Sequence, residues 1–309
     1  VQAGVVVAGS YLDRIEAACM ALATFPERGT RRDDIMPGLR TIGFEEIHHV
    51  YEPVAAAYFF AQRLKADATI LVGDFGGGTS DFSIVRFSLT PRGLQYQPLA
   101  HAGVGVAGDA FDYRIIDRVI APSFGKGSEY KSWDKILPLP NAYFTKFARW
   151  NELSLMRHTS DYRELQQYAR TSLDPDKIDR FLAFLDADAG YALNRAVSDV
   201  KMQLSRADEG VLSLHVKGVD MDRKVHRADF EKWIAPELED ISDAVDRALA
   251  GASLKENDID RVFLTGGTSF VPAVRSQFEE RFGPAKIETG DQLVSIAYGL
   301  ALIAQEEDV

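Results

Sequence analysis

Three adjacent glycines, Gly76, Gly77 and Gly78, stand between two carboxylates, Asp74 and Asp81, with the hydroxyls of Thr79 and Ser80 alongside. Glycine has no Cβ, so successive N–H groups in such a loop can converge on a single anion. The flanking carboxylates suit Mg²⁺, a hard cation that prefers oxygen and keeps part of its water shell. The same residues also suit a tight hairpin, which short glycine loops form routinely. Both readings stand at this point. The loop is not a P-loop, because Gly-x-x-x-x-Gly-Lys-Ser/Thr is absent and a strand follows where a helix should.

A second group of the same character is Gly266-Gly267-Thr268-Ser269-Phe270, placed between an apolar run and a helical stretch ending at Phe282. A helix N-terminus presents unpaired N–H groups and a positive dipole end, which suits phosphate. A plain strand-to-helix turn is the even alternative. Glu52-Pro53 marks a helix start, where the carboxylate either faces a cation or simply complements the helix dipole. Gly103-Val-Gly105-Val-Ala-Gly108 matches Gly-x-Gly-x-x-Gly, yet no clean buried strand precedes it and no βαβ unit follows. It reads instead as a loop into a helix over 109–120, with Asp109 as N-cap. None of the six histidines has metal-ligand spacing, and no Ser/His/Asp arrangement is legible.

These groups need elements to hold them. Ile70–Val72 is a buried strand leading to Asp74, and the stretch after Asp81 is a second, with Phe82 and Ile84 on one face and Ser83, Val85 and Phe87 on the other. Val5–Val7 and Phe44–Val50 have strand character. Helical spacing covers Tyr11–Thr24, Ile35–Ile42 and Val54–Leu64, then Ala142–Leu155, Tyr162–Ala169, Pro175–Asp186, Tyr191–Ser205 and Asp291–Ala304. Gly210–Val216 and Val219–His226 are strands, and one helix is expected from His226 to about Ala250, stopped by Gly251. Residues 121–190 are rich in aromatics and read as a helical insertion that packs a small subdomain, or else as a partner surface.

The 309 residues suffice for one large domain or two smaller ones. A net charge of −11 argues against nonspecific binding to nucleic acid or an anionic membrane. A single cysteine, Cys19, excludes an internal disulfide framework and fits a reducing, cytoplasmic setting. It lies in an apolar run and reads as core. No stretch is apolar enough to span a bilayer as a helix. The chain opens at Val1 almost directly in a strand and reads as N-terminally incomplete.

The order of these motifs resembles the nucleotide-binding domain of Hsp70 chaperones, in the actin, sugar-kinase and Hsp70 superfamily. Asp74-Phe-Gly-Gly-Gly-Thr-Ser-Asp81 is similar to that superfamily's second phosphate motif, and Gly266-Gly267-Thr268-Ser269 with Pro272 to its adenosine motif. Glu52-Pro53-Val-Ala-Ala-Ala resembles the first connecting segment, and Gly108-Asp-Ala-Phe-Asp-Tyr-Arg114 the helix start that accounts for the glycine decoy. Lys201-Met-Gln-Leu-Ser205 is similar to the helix beside the adenine. The insertion over 125–190 is most like that of short bacterial Hsp70-like proteins of the YegD type, which lack a peptide-binding domain.

The resemblance implies ATP or ADP with Mg²⁺ as cofactors and, as partners, client proteins or co-chaperones, with neither nucleic acid nor membrane. It implies that Asp74 holds a Mg²⁺-bound water, that Glu52 takes another, and that Asp81 orients the attacking water. Gly76, Gly77, Gly78 and Thr79 would wrap the phosphates, while Lys201, Ser205, Gly266, Gly267, Thr268 and Phe270 would frame the nucleoside. Met202 and Phe270 stand where chaperones place a stacking arginine, and Ser198, beside Asp199, where they place a ribose-binding glutamate. The choice of base is thereby open. The family's first phosphate loop and catalytic lysine would lie before Val1, so this chain alone is expected to be a poor ATPase.

The fold implied is α/β, of the actin-like ATPase or ribonuclease H-like kind. Residues 1–63 and 289–309 would be part of one lobe, 64–108 and 236–288 the core of the other, and 109–235 a largely helical insertion. Two rival functions remain: a sugar or carboxylate kinase of the same superfamily, and a catalytically dead nucleotide-binding scaffold.

Overall fold

A computed structural model describes residues 52–91, 93–148, 150–288 and 298–302, all within one compact unit. The strands expected at 5–7 and 44–50, the helices at 11–24 and 35–42, Cys19 and His48-His49 lie outside the described residues. So does most of the last helix, of which 298–302 is helical.

The centre is a five-stranded mixed sheet. Its strands are β1 (Ala68–Phe75), β2 (Ser80–Thr90), β3 (Gly93–Val104), β8 (Arg261–Thr265) and β9 (Ile287–Glu288), in the order β3-β2-β1-β8-β9. β1 pairs antiparallel with β2 and parallel with β8, and β2 pairs antiparallel with β3. Both expected strands run longer than their apolar runs. β2 is buried on both faces, since Phe82, Ser83, Ile84 and Val85 are all inaccessible.

That burial follows from a layer on each side. Helix α1 (Glu52–Ala61) covers one face, with Phe60 stacked on Phe263 at 4.2 Å between ring centroids and Tyr58 against Phe87. Helix α10 (Pro272–Phe282) covers the other through Phe278, whose ring meets Phe75 and Phe82. Long helix α9 (Ala235–Ala252) lies along β2 and β3 on that second face, its Ile241, Val245 and Leu249 sharing one core with Leu71 and Ile84. Alternate residues of β1 therefore point into different layers, which places Asp74 on the α1 side.

Between β3 and α9 runs the segment 105–234. Helix α2 (Gly108–Ile115) tightens into a π-helical turn at Ile116–Ile120 and a 3-10 turn at Ala121–Phe124. Then come α3 (Ala142–Thr145), a 3-10 turn at Lys146–Ala148 and α4 (Trp150–Met156), which split the one helix expected over Ala142–Leu155, and α5 (Ser160–Thr171), α6 (Pro175–Asp186) and α7 (Gly190–Leu204), close to the expected spans. Strands β6 (Glu209–Val216) and β7 (Val219–His226) form a hairpin against α7. The phenylalanines pack inward: Phe124 stacks on Phe181, with Phe144, Phe147 and Phe184 around them. This core is continuous with that of the sheet.

Four further local expectations change. The insertion contains a hairpin, β4 (Glu129–Ser132) with β5 (Lys135–Pro138), in place of all-helical structure. Its strands are four residues each and largely exposed, too short for alternation to register. The helix expected from His226 to Ala250 is two, α8 (Arg227–Trp233) and α9. They break at Ile234 because Pro236 lacks an N–H and is accommodated only in a first turn. Gly251 does not stop α9, which continues to Ala252 and ends at Ser253 in the left-handed region. Asp109 is not the N-cap of α2, because Ala107 occupies that position and the helix begins at Gly108.

Candidate functional site

Four chain segments leave the sheet at one edge. β1 and β8 are parallel with Asp74 opposite Thr265, so both end there, while Ser80 opposite Phe75 and Val104 opposite Ser80 bring in the start of β2 and the end of β3. The carboxyl ends of parallel strands in open α/β sheets are where ligands bind.

The first turn is a hairpin, one of the two things its sequence allowed. Gly76–Thr79 closes the β1–β2 hairpin with a bond from Gly76 N to Thr79 O of 2.9 Å. The carbonyls face the other way, toward α2: Asp109 N donates to Gly77 O at 2.8 Å and Gly108 N to Gly76 O at 3.5 Å. Two of the helix's orphan donors are satisfied by the turn itself, which is why α2 needs no side-chain cap. With those carbonyls engaged, the N–H groups of Gly77 and Gly78 have no backbone acceptor among the described residues, and all three glycines are exposed. Ser80 Oγ, wholly buried, fastens the turn by donating to Val106 O at 2.7 Å.

Gly108 is the point where everything meets. A Cβ there would lie 2.9 Å from Thr268 Oγ1, 3.5 Å from Lys201 Nζ and 3.6 Å from Gly76 O. The second glycine turn is thus packed against the first. Gly266, at φ +85°, presses on β1 so closely that a Cβ would come within 2.1 Å of Phe75 O. Only a residue without Cβ passes there. Ser269 closes this turn by donating from Oγ to Gly266 O at 2.6 Å.

Helix α2 ties the site to the rest of the molecule. Lys201 Nζ on α7 stands 2.6 Å from Asp112 Oδ1, with both side chains largely buried. Burial pushes the Asp112 carboxyl up, against the opposing pull of Lys201. Further along, Arg114 Nε and Nη2 reach Glu237 Oε1 on α9 at 2.8 and 2.7 Å. The first glycine turn, Lys201 and α9 are therefore braced by a single helix.

Of the residues picked out from sequence, Gly76, Gly77, Gly78, Thr79, Lys201, Gly266, Gly267 and Thr268 come together at this edge. Asp74 and Asp81 are cross-strand partners beside the glycine turn and both are half-buried. Glu52 opens α1 on the Asp74 side of the sheet, and its side chain lies outside the described residues. Ser205 sits at the end of α7 with its hydroxyl donating to Lys201 O at 3.1 Å, spent on the backbone. Phe270 and Met202 are exposed apolar side chains.

Sequence reasoning missed Asp112, although it quoted the motif containing it. The signal was an aspartate three residues after Asp109 on a helix, one turn along the same side. No Ser/His/Asp arrangement was legible in the sequence, and the structure sets Ser83, His101 and Asp81 beside one another across β2 and β3. Strand pairing between residues 18 positions apart brings Ser83 and His101 together, which no linear spacing reveals.

The donor set fits nucleotide and magnesium. Mg²⁺ is commonly held by one or two carboxylates, waters and substrate phosphates, and Asp74 with Asp81, beside Gly77 and Gly78 N–H groups that have no backbone acceptor among the described residues, matches that division. No cluster of three or more metal-ligating side chains exists among the described residues, nor a helix long and apolar enough to cross a membrane.

A family model described as Hsp70 protein matches residues 176–306. "Chaperone protein DnaK" of Deinococcus deserti is 26% identical over 270 residues, covering 85% of this chain and 34% of the relative. The protein of that name from Deinococcus radiodurans matches equally at 26%, and that from Cyanidioschyzon merolae is 24% identical over 300 residues, covering 94% of this chain and 40% of its own length. The chain spans about a third of the length of the Deinococcus relatives it matches.

Proposed function

We propose that this chain, an Hsp70-like nucleotide-binding region with the α/β actin-like ATPase fold, binds ATP and ADP with Mg²⁺ at the edge where β1 and β8 end. In the protein of which it is part, hydrolysis there would drive closure of the two lobes, one containing 64–108 and 236–288, as expected of a chaperone ATPase. The observation that carries this reading is the meeting of both glycine turns at Gly108.

The Gly77 and Gly78 N–H groups would take phosphate oxygens, with Thr79 adding a hydroxyl. Asp74 and Glu52 would hold magnesium through its waters, and Asp81 would orient the attacking water. Bound Mg²⁺ supplies charge neutralisation on the phosphates. Phosphoryl transfer asks little more of a protein than positioning and electrostatic stabilisation. Lys201 is committed to Asp112, so its role toward the nucleoside is to hold α7 in place. Phe270, exposed just past the second turn, offers a ring face to a base.

The test is Asp74→Asn in the intact protein, followed by calorimetry with ATP, ADP and Mg²⁺ and by hydrolysis. Metal-dependent binding heat in the wild type, with hydrolysis abolished and melting temperature unchanged in the variant, is expected. Turnover at the wild-type rate in Asp74→Asn would remove that carboxylate from the mechanism. Binding heat without any turnover in the wild type would favour the inactive scaffold.

A further inference from the structure

Strand pairing sets a third group beside Asp81. Ser83 lies opposite His101, and Asp81 opposite Gly103. His101 Nδ1 is 3.0 Å from Ser83 Oγ, while Nε2 is 3.8 Å from Asp81 Oδ1, within ion-pair range but beyond a hydrogen bond. A Cβ on Gly103 would come 2.7 Å from Asp81 Oδ1, so the carboxylate leans over the glycine toward β3. Arg247 on α9 donates to Gly103 O at 3.1 Å and steadies that strand.

The composition is that of a hydrolase triad, but Ser83 is 2% exposed and its hydroxyl is out of reach of any substrate. If the buried hydroxyl donates to Nδ1, the ring proton stays on Nε2, the nitrogen that faces Asp81.

We propose that His101 is a positioning residue for Asp81: Ser83 holds the imidazole as the Nε2–H tautomer, and that N–H aims the Asp81 carboxylate at the attacking water. This rests on the reading of Asp81 given above. Hydrogen bonds at catalytic groups are commonly long without substrate and tighten when it binds, which suits the 3.8 Å separation. The role also explains Gly103, the first glycine of the dinucleotide decoy: it vacates the space that Asp81 needs.

The experiment compares wild type, His101→Ala, His101→Gln and Ser83→Ala in the intact protein, measuring Mg-ATP affinity by calorimetry and single-turnover hydrolysis. His101→Ala is expected to keep its affinity and lose about tenfold or more in rate, the scale of a misplaced reacting group. Glutamine, whose Nε2 amide reaches a similar point, is expected to restore most of that loss, and Ser83→Ala to fall between. The ¹⁵N shifts of His101 in the wild type should report Nε2–H, a measurement that needs no variant to fold. Unchanged rate in His101→Ala, failure of glutamine to rescue, affinity falling in step with rate, or an Nδ1–H tautomer would each overturn the proposal. A wild type that shows no binding heat would instead overturn the nucleotide reading beneath it.

Discussion

Thr268 Oγ1 sits 2.9 Å from where a methyl group on Gly108 would stand, so the hydroxyl of one glycine turn is packed against the helix that docks on the other. The residues are 160 positions apart, and their contact closes the site. Thr268 is 3% exposed, with no slack around it.

Gly108→Ala is the direct probe of that contact. The added methyl must displace the Thr268 hydroxyl, while Lys201 Nζ at 3.5 Å and Gly76 O at 3.6 Å stand at ordinary contact distance. Because Gly108 does not require a positive φ, the backbone tolerates alanine and the fold should survive. Nucleotide affinity should fall about tenfold or more, since small displacements of positioning groups are costly. Calorimetry beside circular dichroism separates this from unfolding.

Breaking the Lys201–Asp112 pair should show a definite pH dependence. Loss of one member of a largely buried pair costs about 3–5 kcal/mol, so Lys201→Met should be strongly destabilised at neutral pH. Without Lys201, the already raised Asp112 carboxyl rises further. A group whose folded pKa exceeds its unfolded value stabilises most below the unfolded value, and loses that contribution as pH climbs through the folded one. The deficit of Lys201→Met should therefore shrink on acidification from neutral toward about pH 4. Adding Asp112→Asn should recover much of the loss at pH 7, and denaturant titrations at several pH values would show it.

Trp133 stands at the tip of the β4–β5 hairpin, fully exposed and at φ +54°. A bulky residue in the left-handed region is strained, while glycine enters it freely. Trp133→Gly should leave stability unchanged or raise it by up to about 1 kcal/mol. The emission lost on substitution should be that of a fully hydrated indole. A blue-shifted component, or a marked drop in stability, would mean the ring is covered.

Much of the site was legible because it is made of local signals. A glycine triplet between two aspartates, and a double glycine between an apolar run and Pro272, are each contained in a few residues, and their chemistry follows from residue type. The elements with strong periodicity, such as α6 and α7, were legible for the same reason. The β4–β5 hairpin was not, being short and exposed with an unfavourable tip residue. The break at Ile234 was missed because apolar spacing continues through Pro236 and hides the proline's missing donor.

By itself, then, the sequence determined which residues are candidates for phosphate-type chemistry and the general α/β plan, because glycine permissiveness, carboxylate charge and apolar periodicity are properties of single residues and near neighbours. Only the tertiary structure decided that Gly76 and Gly266 share one edge, that Lys201 answers to Asp112, and that His101 and Ser83 flank Asp81. Those relations arise from parallel pairing of β1 with β8, cross-strand register in β2 and β3, and the docking of α2 on two glycine carbonyls. Each joins residues that only the packing of the sheet and its helices makes adjacent.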